Sequence, residues 1–264
     1  MMSRKNFFCC FLFLGIGFMV HAQNNSLFKE EKLIGNGDTL LYRVLYPKNF
    51  DENTSYPLVF FLHGAGERGS DNTKQLTHGS TLFTNEKNRS FFPAIVVMPQ
   101  CPQDDYWAQV KVDRSNYPIQ LDFQFEKGPT KAMGLVISLL EDFQQKRYVN
   151  KHQVYLMGLS MGGMGTYELL ARKPKTFAAA IPICGAGDPE QVKNYAVKTP
   201  IWAFHGAKDN VVDPLHSFEM VTALLKQGAF PRFTVYDFAN HNSWDPAFSE
   251  PDLLPWLFSH QLKK

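Results

Sequence analysis

The chain has 264 residues, 44% of them hydrophobic, and carries 27 lysines and arginines against 25 aspartates and glutamates. That near balance provides no electrostatic field for drawing nucleic acid or an anionic membrane surface, so neither is expected as a partner. The length suits one large domain with a sizeable core.

Residues 1–22 read as a secretory signal peptide rather than part of the fold. Arg4 and Lys5 precede an apolar run from Phe7 to Val20, which ends at Val20-His21-Ala22 before Gln23. A basic start, an apolar centre and a small residue at the cut are the marks of such a segment. The run is shorter than the roughly 20 residues that span a bilayer. No cysteine follows it, so no lipid anchor is expected. Cleavage would remove two basic residues and no acid, leaving 25 of each sign on residues 23–264. It would also remove Cys9 and Cys10, leaving Cys101 and Cys184. An exported chain permits a bridge between these two, but two cysteines make no disulfide framework, and buried free thiols are the default. A secreted or periplasmic monomer is the expectation.

From Gln23 onward, strands alternate with helices. "KLIGNGDTLLYRVLYP" predicts an N-terminal hairpin turning at Gly35-Asn36-Gly37-Asp38. "YPLVFFLH" and "PAIVVMPQ" are continuous apolar strands, as expected of parallel strands buried on both faces. "TKAMGLVISLLEDFQQKRY" spaces Met133, Val136, Ile137, Leu140 and Phe143 as one face of a helix. Strand "QVYLMGL", helix "MGGMGTYELLARK" and strands "FAAAIPIC" and "PIWAFHG" follow. The helix in "DPLHSFEMVTALLKQG" starts with Asp213 as cap and Pro214 at its first position, and stops at Gly228. Strand "RFTVYDF" and a helix around "PDLLPWLFSHQ" close the chain. Alternation of this kind implies an α/β fold, a mostly parallel sheet with helices on both faces and the hairpin at its start. One 30-residue connection, 100–129, interrupts the rhythm. Its aromatic residues argue against disorder, and "IQLDFQF" alternates like a short strand.

Two glycine-rich stretches bear on chemistry. Gly158-Leu159-Ser160-Met161-Gly162 fits G-x-S-x-G between a strand and a helix, the nucleophile elbow that exposes a serine hydroxyl above a sheet. A serine needs a base oriented by an acid, and in this arrangement they follow in the order serine, acid, histidine. His216 falls inside a helix, His260 near the terminus, and His205 ends a strand ahead of any suitable acid. His241, in the loop after the last strand, fits as base. Asp209, just past "PIWAFHG", fits as acid, whereas Asp213 is better read as a helix cap and Asp237 belongs to the final strand.

The second stretch, Gly64-Ala65-Gly66-Glu67-Arg68-Gly69, matches the G-x-G-x-x-G dinucleotide fingerprint. A Rossmann site also needs an acid at the tip of the next strand, yet that strand ends "VVMPQCP", and "ERGSDNTKQLTHG" lacks the apolar face of a crossover helix. Free backbone N–H groups beside an elbow suit an oxyanion instead, and those of Ala65 and Met161 are the candidates.

With "FLHGAGERGSDN", "GLSMGGMGTYEL", "FHGAKDNVV" and "HNSWD" in this order, residues 27–264 resemble the α/β-hydrolase superfamily. Within it the chain is similar to single-domain secreted esterases: feruloyl and acetylxylan esterases, polyhydroxybutyrate depolymerase-like proteins and small phospholipase/carboxylesterases. It also resembles the catalytic domain of prolyl-oligopeptidase-type peptidases, without a propeller ahead of it. Dienelactone hydrolases place cysteine at the elbow, where this chain has Ser160. The resemblance implies a serine hydrolase of carboxylic esters needing no cofactor, with plant-polysaccharide feruloyl or acetyl esters as leading substrates. A serine peptidase, with Arg68 as its one candidate anchor, and a non-catalytic carbohydrate-binding protein are the alternatives.

The remaining expectations are local. His63 shapes its loop, and Glu67 and Arg68 pair with each other. Trp107 and Trp244 are the candidate substrate-binding residues, with core packing as the alternative. Trp107 is expected to line a substrate wall built by the 100–129 segment, at the ligand-binding edge of the sheet. No His, Cys and carboxylate residues have metal-ligand spacing, so no metal is expected.

Overall fold

The computed structural model describes residues 25–35 and 37–263. The expected signal segment and Asn36 of the hairpin turn lie outside them. Among the described residues, ten strands occur in chain order: β1 (Lys29–Gly35), β2 (Asp38–Leu45), β3 (Tyr56–Leu62), β4 (Ile95–Gln100), β5 (Val110–Asp113), β6 (Gln120–Phe123), β7 (Val149–Leu159), β8 (Ala179–Ile183), β9 (Trp202–Gly206) and β10 (Arg232–Tyr236). The α-helices are α1 (Ser80–Thr84), α2 (Glu86–Phe91), α3 (Lys131–Gln145), α4 (Met161–Arg172), α5 (Leu215–Lys226), α6 (Trp244–Phe248) and α7 (Leu253–Phe258).

Eight strands form one sheet in the order β1-β2-β4-β3-β7-β8-β9-β10. The β1–β2 hairpin enters antiparallel, and every pair from β4 to β10 is parallel. Alternation along the strands divides the interior into two layers. Leu58, Phe60 and Leu62 of β3 join α3, α4 and α5 on one face, while Val59 and Phe61 join α1, α6 and α7 on the other. These strands are apolar throughout because both faces are covered, whereas β1 at the sheet edge is largely exposed.

Local chemistry sets the helix limits. Thr130 caps α3 by accepting from Met133 N at 3.1 Å, and Met133, Val136, Leu140 and Phe143 are buried along its inner face. The Asp213 carboxylate accepts from Leu215 N at 2.9 Å, so it caps α5, which begins one residue later than the sequence suggests. Beyond the end of that helix Gly228 takes φ 80°, the left-handed conformation that glycine adopts without penalty.

The 100–129 connection is an arm. Its β5 and β6 form a separate two-stranded antiparallel sheet. Ala108 and Ile119 of the arm pack with Met164 of α4, Ala186 and Val212. The arm is tied down where Ile119 N donates to Val211 O at 2.9 Å, two residues beyond Asp209.

Candidate active site

Parallel strands bring the ends of β3, β7, β9 and β10 to one edge of the sheet, where the segments singled out from the sequence meet. Ser160 follows β7 directly with φ 53° and ψ −118°, a conformation that costs a non-glycine residue on the order of 1–3 kcal/mol. It is held there by its own N–H on Ile183 O at 2.8 Å and by Met164 N on its carbonyl at 3.0 Å. The elbow glycines are steric necessities. A Cβ on Gly162 would lie 1.9 Å from Leu62 O, and one on Gly158 would lie 2.2 Å from Gly162 O. The helix thus starts almost in contact with the backbone of β3, directing Ser160 away from the sheet.

Ser160 Oγ lies 2.9 Å from His241 Nε2, and His241 Nδ1 lies 2.8 Å from Asp209 Oδ2. The Asp209 side chain is fully buried, while that of His241 is 20% exposed. Asp209 Oδ1 accepts from Val211 N at 2.9 Å and Val212 N at 3.0 Å. Burial alone would push its carboxyl up. Hydrogen bonds from His205 and His241, the charge of His241 and the Val211 N–H outweigh that and hold it well below the usual carboxylate range. The acid and base loops are clamped together by Asn240, whose Oδ1 accepts from Asn210 N at 3.1 Å and His241 N at 2.7 Å. Gly206 permits this approach, since a Cβ there would lie 2.3 Å from Asn240 O.

The rejected candidates have other work. Asp213 caps α5, His216 stands 3.9 Å from Glu219, and His260 Nδ1 bonds to Trp256 O at 2.7 Å. One functional contact escaped sequence reasoning: His205 Nε2 reaches the same Asp209 oxygen at 3.1 Å.

The glycine-rich loop after β3 borders the nucleophile, since a Cβ on Gly64 would sit 3.7 Å from Ser160 Cβ. Ala65 opens a single 3₁₀ turn, Ala65–Glu67, and Met161 opens α4. As first residues of their helices, both have N–H groups without an intrahelical acceptor. His63 anchors the loop from beneath. Its Nε2 accepts from Cys101 N at 3.0 Å, so Nδ1 carries the proton and donates to Gly64 O at 2.6 Å. Burial pulls the His63 pKa down to about 4, keeping the ring neutral. The expected Glu67–Arg68 pair does not form. Arg68 donates to Ala65 O at 3.0 Å and Asp105 O at 3.2 Å, while Glu67 faces His78 at 3.8 Å. The one-turn 3₁₀ helix turns neighbouring side chains to different sides.

The two tryptophans separate. Trp107 is fully buried in the core on the α4 side of the sheet, donates from Nε1 to His63 O at 3.0 Å and packs its ring 5.2 Å from the His63 ring. Gly165 makes room for it, because a Cβ there would lie 2.5 Å from Trp107 Cβ. The expected substrate-wall role of Trp107 is thus corrected: its ring is packed in the core, because Gly165 and the His63 loop leave a slot that an aromatic ring fills. Trp244 is half-buried, with its ring 5.5 Å from that of His241 and 5.1 Å from that of His78, beside the exposed edge of the base.

Cys101 and Cys184 are both free and buried. The fold also brings together a trio that sequence spacing did not reveal, with ligand atoms of Cys184, Asp209 and His241 within 4.8 Å of one another. The Asp209 carboxylate and both His241 nitrogens are already engaged in the hydrogen bonds above. Burial and the nearby Asp209 charge push the Cys184 thiol up, which disfavours the thiolate a metal would need.

This sheet, elbow and Ser-His-Asp arrangement define an α/β-hydrolase. A family model described as phospholipase/carboxylesterase matches residues 50–250, and the chain belongs to that family. It is 26% identical over 183 residues to a bifunctional acetylxylan esterase/xylanase of Neocallimastix patriciarum, covering 69% of this chain and 23% of that protein. A thermostable esterase of known structure superposes with TM-score 0.80 at 32% identity, over 90% of this chain and 64% of the other. The ferulic acid esterase of Anaeromyces mucronatus, solved with ferulic acid, shares the fold with TM-score 0.63 at 16% identity, over 86% of this chain and 89% of that one. The chain thus spans less than two thirds of the length of the first two proteins.

Proposed function

We propose that this protein is an exported serine esterase acting on carboxylic esters, with feruloyl or acetyl esters of plant polysaccharide as substrates. The observation that carries the reading is the unbroken relay from Ser160 Oγ through His241 to Asp209, at 2.9 and 2.8 Å. In the reaction, Ser160 Oγ attacks the ester carbonyl as His241 Nε2 takes its proton. Asp209 steadies the imidazolium, and the Ala65 and Met161 N–H groups face the tetrahedral oxyanion. His241 returns the proton to the leaving oxygen and the alcohol departs. Water then adds to the acyl-enzyme, losing a proton to His241, and collapse releases the acid and restores Ser160. The finer substrate assignment draws support from the acetylxylan esterase and ferulic acid esterase relatives and from the aromatic face of Trp244 beside the base. Arg68, the one candidate anchor for a peptide terminus, is occupied by two backbone carbonyls, which favours ester over peptide. Export is supported by the basic start and apolar run of residues 1–22, and N-terminal sequencing of the protein collected outside the cytoplasm should begin at Gln23.

The test is a panel of p-nitrophenyl acetate, p-nitrophenyl butyrate, methyl ferulate and acetylated xylan, combined with a fluorophosphonate probe. Ester turnover and a label on Ser160 are expected. Ser160→Ala should lose about three orders of magnitude or more in kcat with an unchanged circular dichroism spectrum. A folded variant with wild-type turnover would remove Ser160 from the mechanism.

A further inference from the structure

We infer that His205 is a positioning residue for this reaction: from the floor of the site it donates to Asp209 and fixes the carboxylate that holds His241. The inference rests on the reading of Ser160, His241 and Asp209 given above.

Four donors surround the Asp209 carboxylate. Oδ1 takes the two N–H groups of Val211 and Val212, while Oδ2 takes His241 Nδ1 at 2.8 Å and His205 Nε2 at 3.1 Å. The His205 tautomer follows from its partners. Nε2 faces only acceptors, the ionised Asp209 oxygen and Val212 O at 3.1 Å, so it must carry a proton. Nδ1 faces the Ser217 hydroxyl at 2.7 Å, a group able to donate. The Ser217 hydroxyl has a second acceptor in Gly185 O, but at 3.4 Å against 2.7 Å; donating over the shorter contact, it satisfies Nδ1 and the imidazole is neutral. His205 is 0% exposed and Ser217 2%, so both lie beneath the surface that a substrate would touch.

Neutrality has a catalytic consequence. A second imidazolium beside Asp209 would compete for the negative charge that steadies the one forming on His241. A neutral donor fixes the direction of Oδ2 and leaves that charge available. The fold supplies the parts from separate elements: His205 from β9, Asp209 from the loop four residues on, and Ser217 from α5. Removing His205 leaves Asp209 Oδ2 with His241 Nδ1 as its remaining donor and Ser217 Oγ with only the longer contact to Gly185 O, so the carboxylate loses the hydrogen bond that fixes it from below.

The test compares His205→Phe, which keeps a ring and removes both nitrogens, with His205→Gln, which restores an N–H donor near Asp209. On p-nitrophenyl acetate, H205F should lower kcat about tenfold or more, with KM within about twofold of wild type, while H205Q recovers most of the loss. The downfield proton resonance of His241 Nδ1–H should shift in H205F and return toward its wild-type position in H205Q. Because H205F removes hydrogen bonds from two buried groups, nitrogen NMR of the wild-type imidazoles provides a second readout that needs no folded variant. His205 should carry its one ring proton on Nε2, as its hydrogen-bond partners dictate. An imidazolium or an Nδ1–H tautomer there overturns the inference, as does wild-type kcat in H205F or an equal loss in both variants. Fluorophosphonate labelling separates the two levels. If wild-type Ser160 goes unlabelled, the esterase reading itself fails. If Ser160 labels equally fast in wild type and H205F, only the role of His205 fails.

Discussion

His241 and Trp244 sit three residues apart with their rings 5.5 Å from each other, yet they differ in chemistry. His241 Nε2 lies 2.9 Å from Ser160 Oγ, and the proposed esterase reading gives the neighbouring indole the aromatic contact with substrate. Trp244→Ala should therefore discriminate between substrates. kcat/KM for methyl ferulate is expected to fall about tenfold, or 1.4 kcal/mol, while p-nitrophenyl acetate changes little. Equal losses on both esters would show that Trp244 only supports the base. A second prediction follows from His63, whose folded pKa of about 4 lies below the ordinary histidine value of 6.5. Between these values the unfolded chain binds a proton that the folded chain refuses. Stability should therefore fall as pH drops from 6.5 to 4, by on the order of 3 kcal/mol from this residue, with no further loss from it below 4. Urea unfolding of His63→Gln across that window should show a lower but flatter stability profile than wild type.

The arm carrying β5 and β6 shows how an irregular element is paid for. Thirty residues without regular structure would be costly to order, and the arm offsets that cost through its own strand pairing and by burying Trp107 against Gly165 and His63. Trp107→Ala should cost about 3–5 kcal/mol of stability, read as a lowered denaturation midpoint. Well below that midpoint, the activity of the folded fraction on small and bulky esters should change by the same factor, because Trp107 faces the core. A loss confined to bulky esters would place it in the substrate site after all. The arm also braces the acid loop through Ile119 N on Val211 O, so its packing and the position of Asp209 are one mechanical unit.

Across the whole molecule, the sheet decides which distant residues can meet. Cys101 follows β4 and Cys184 follows β8, with β3 and β7 between those strands. Three strand spacings separate them by about 14 Å, twice the reach of a disulfide. The thiols also belong to cores on opposite faces. Neither should react with Ellman's reagent in the folded protein, both should react in denaturant, and a reducing agent should leave the melting temperature unchanged. The same ordering sets β3, β7, β9 and β10 to end on one edge, which is why four segments far apart in sequence share one site.

What the sequence determined by itself was whatever depends on neighbours along the chain. Apolar runs marked β3, β4 and β7, helical spacing marked α3, and the glycines around Ser160 marked a turn that only glycine can make. The order of Ser160, Asp209 and His241 along the chain was also legible, because each falls just past a recognisable strand. The tertiary structure alone decided the contacts across elements. A half-buried and a fully buried tryptophan read alike in sequence, so Trp107 was separated from Trp244 only by what packs against it. His205 reads as the end of a buried strand, and its donation to Asp209 exists only because the β9 loop turns back over it while α5 brings Ser217 to its other side. Hydrogen bonding of this kind depends on distances of about 3 Å between groups whose approach the whole packed sheet fixes, and no local pattern encodes it.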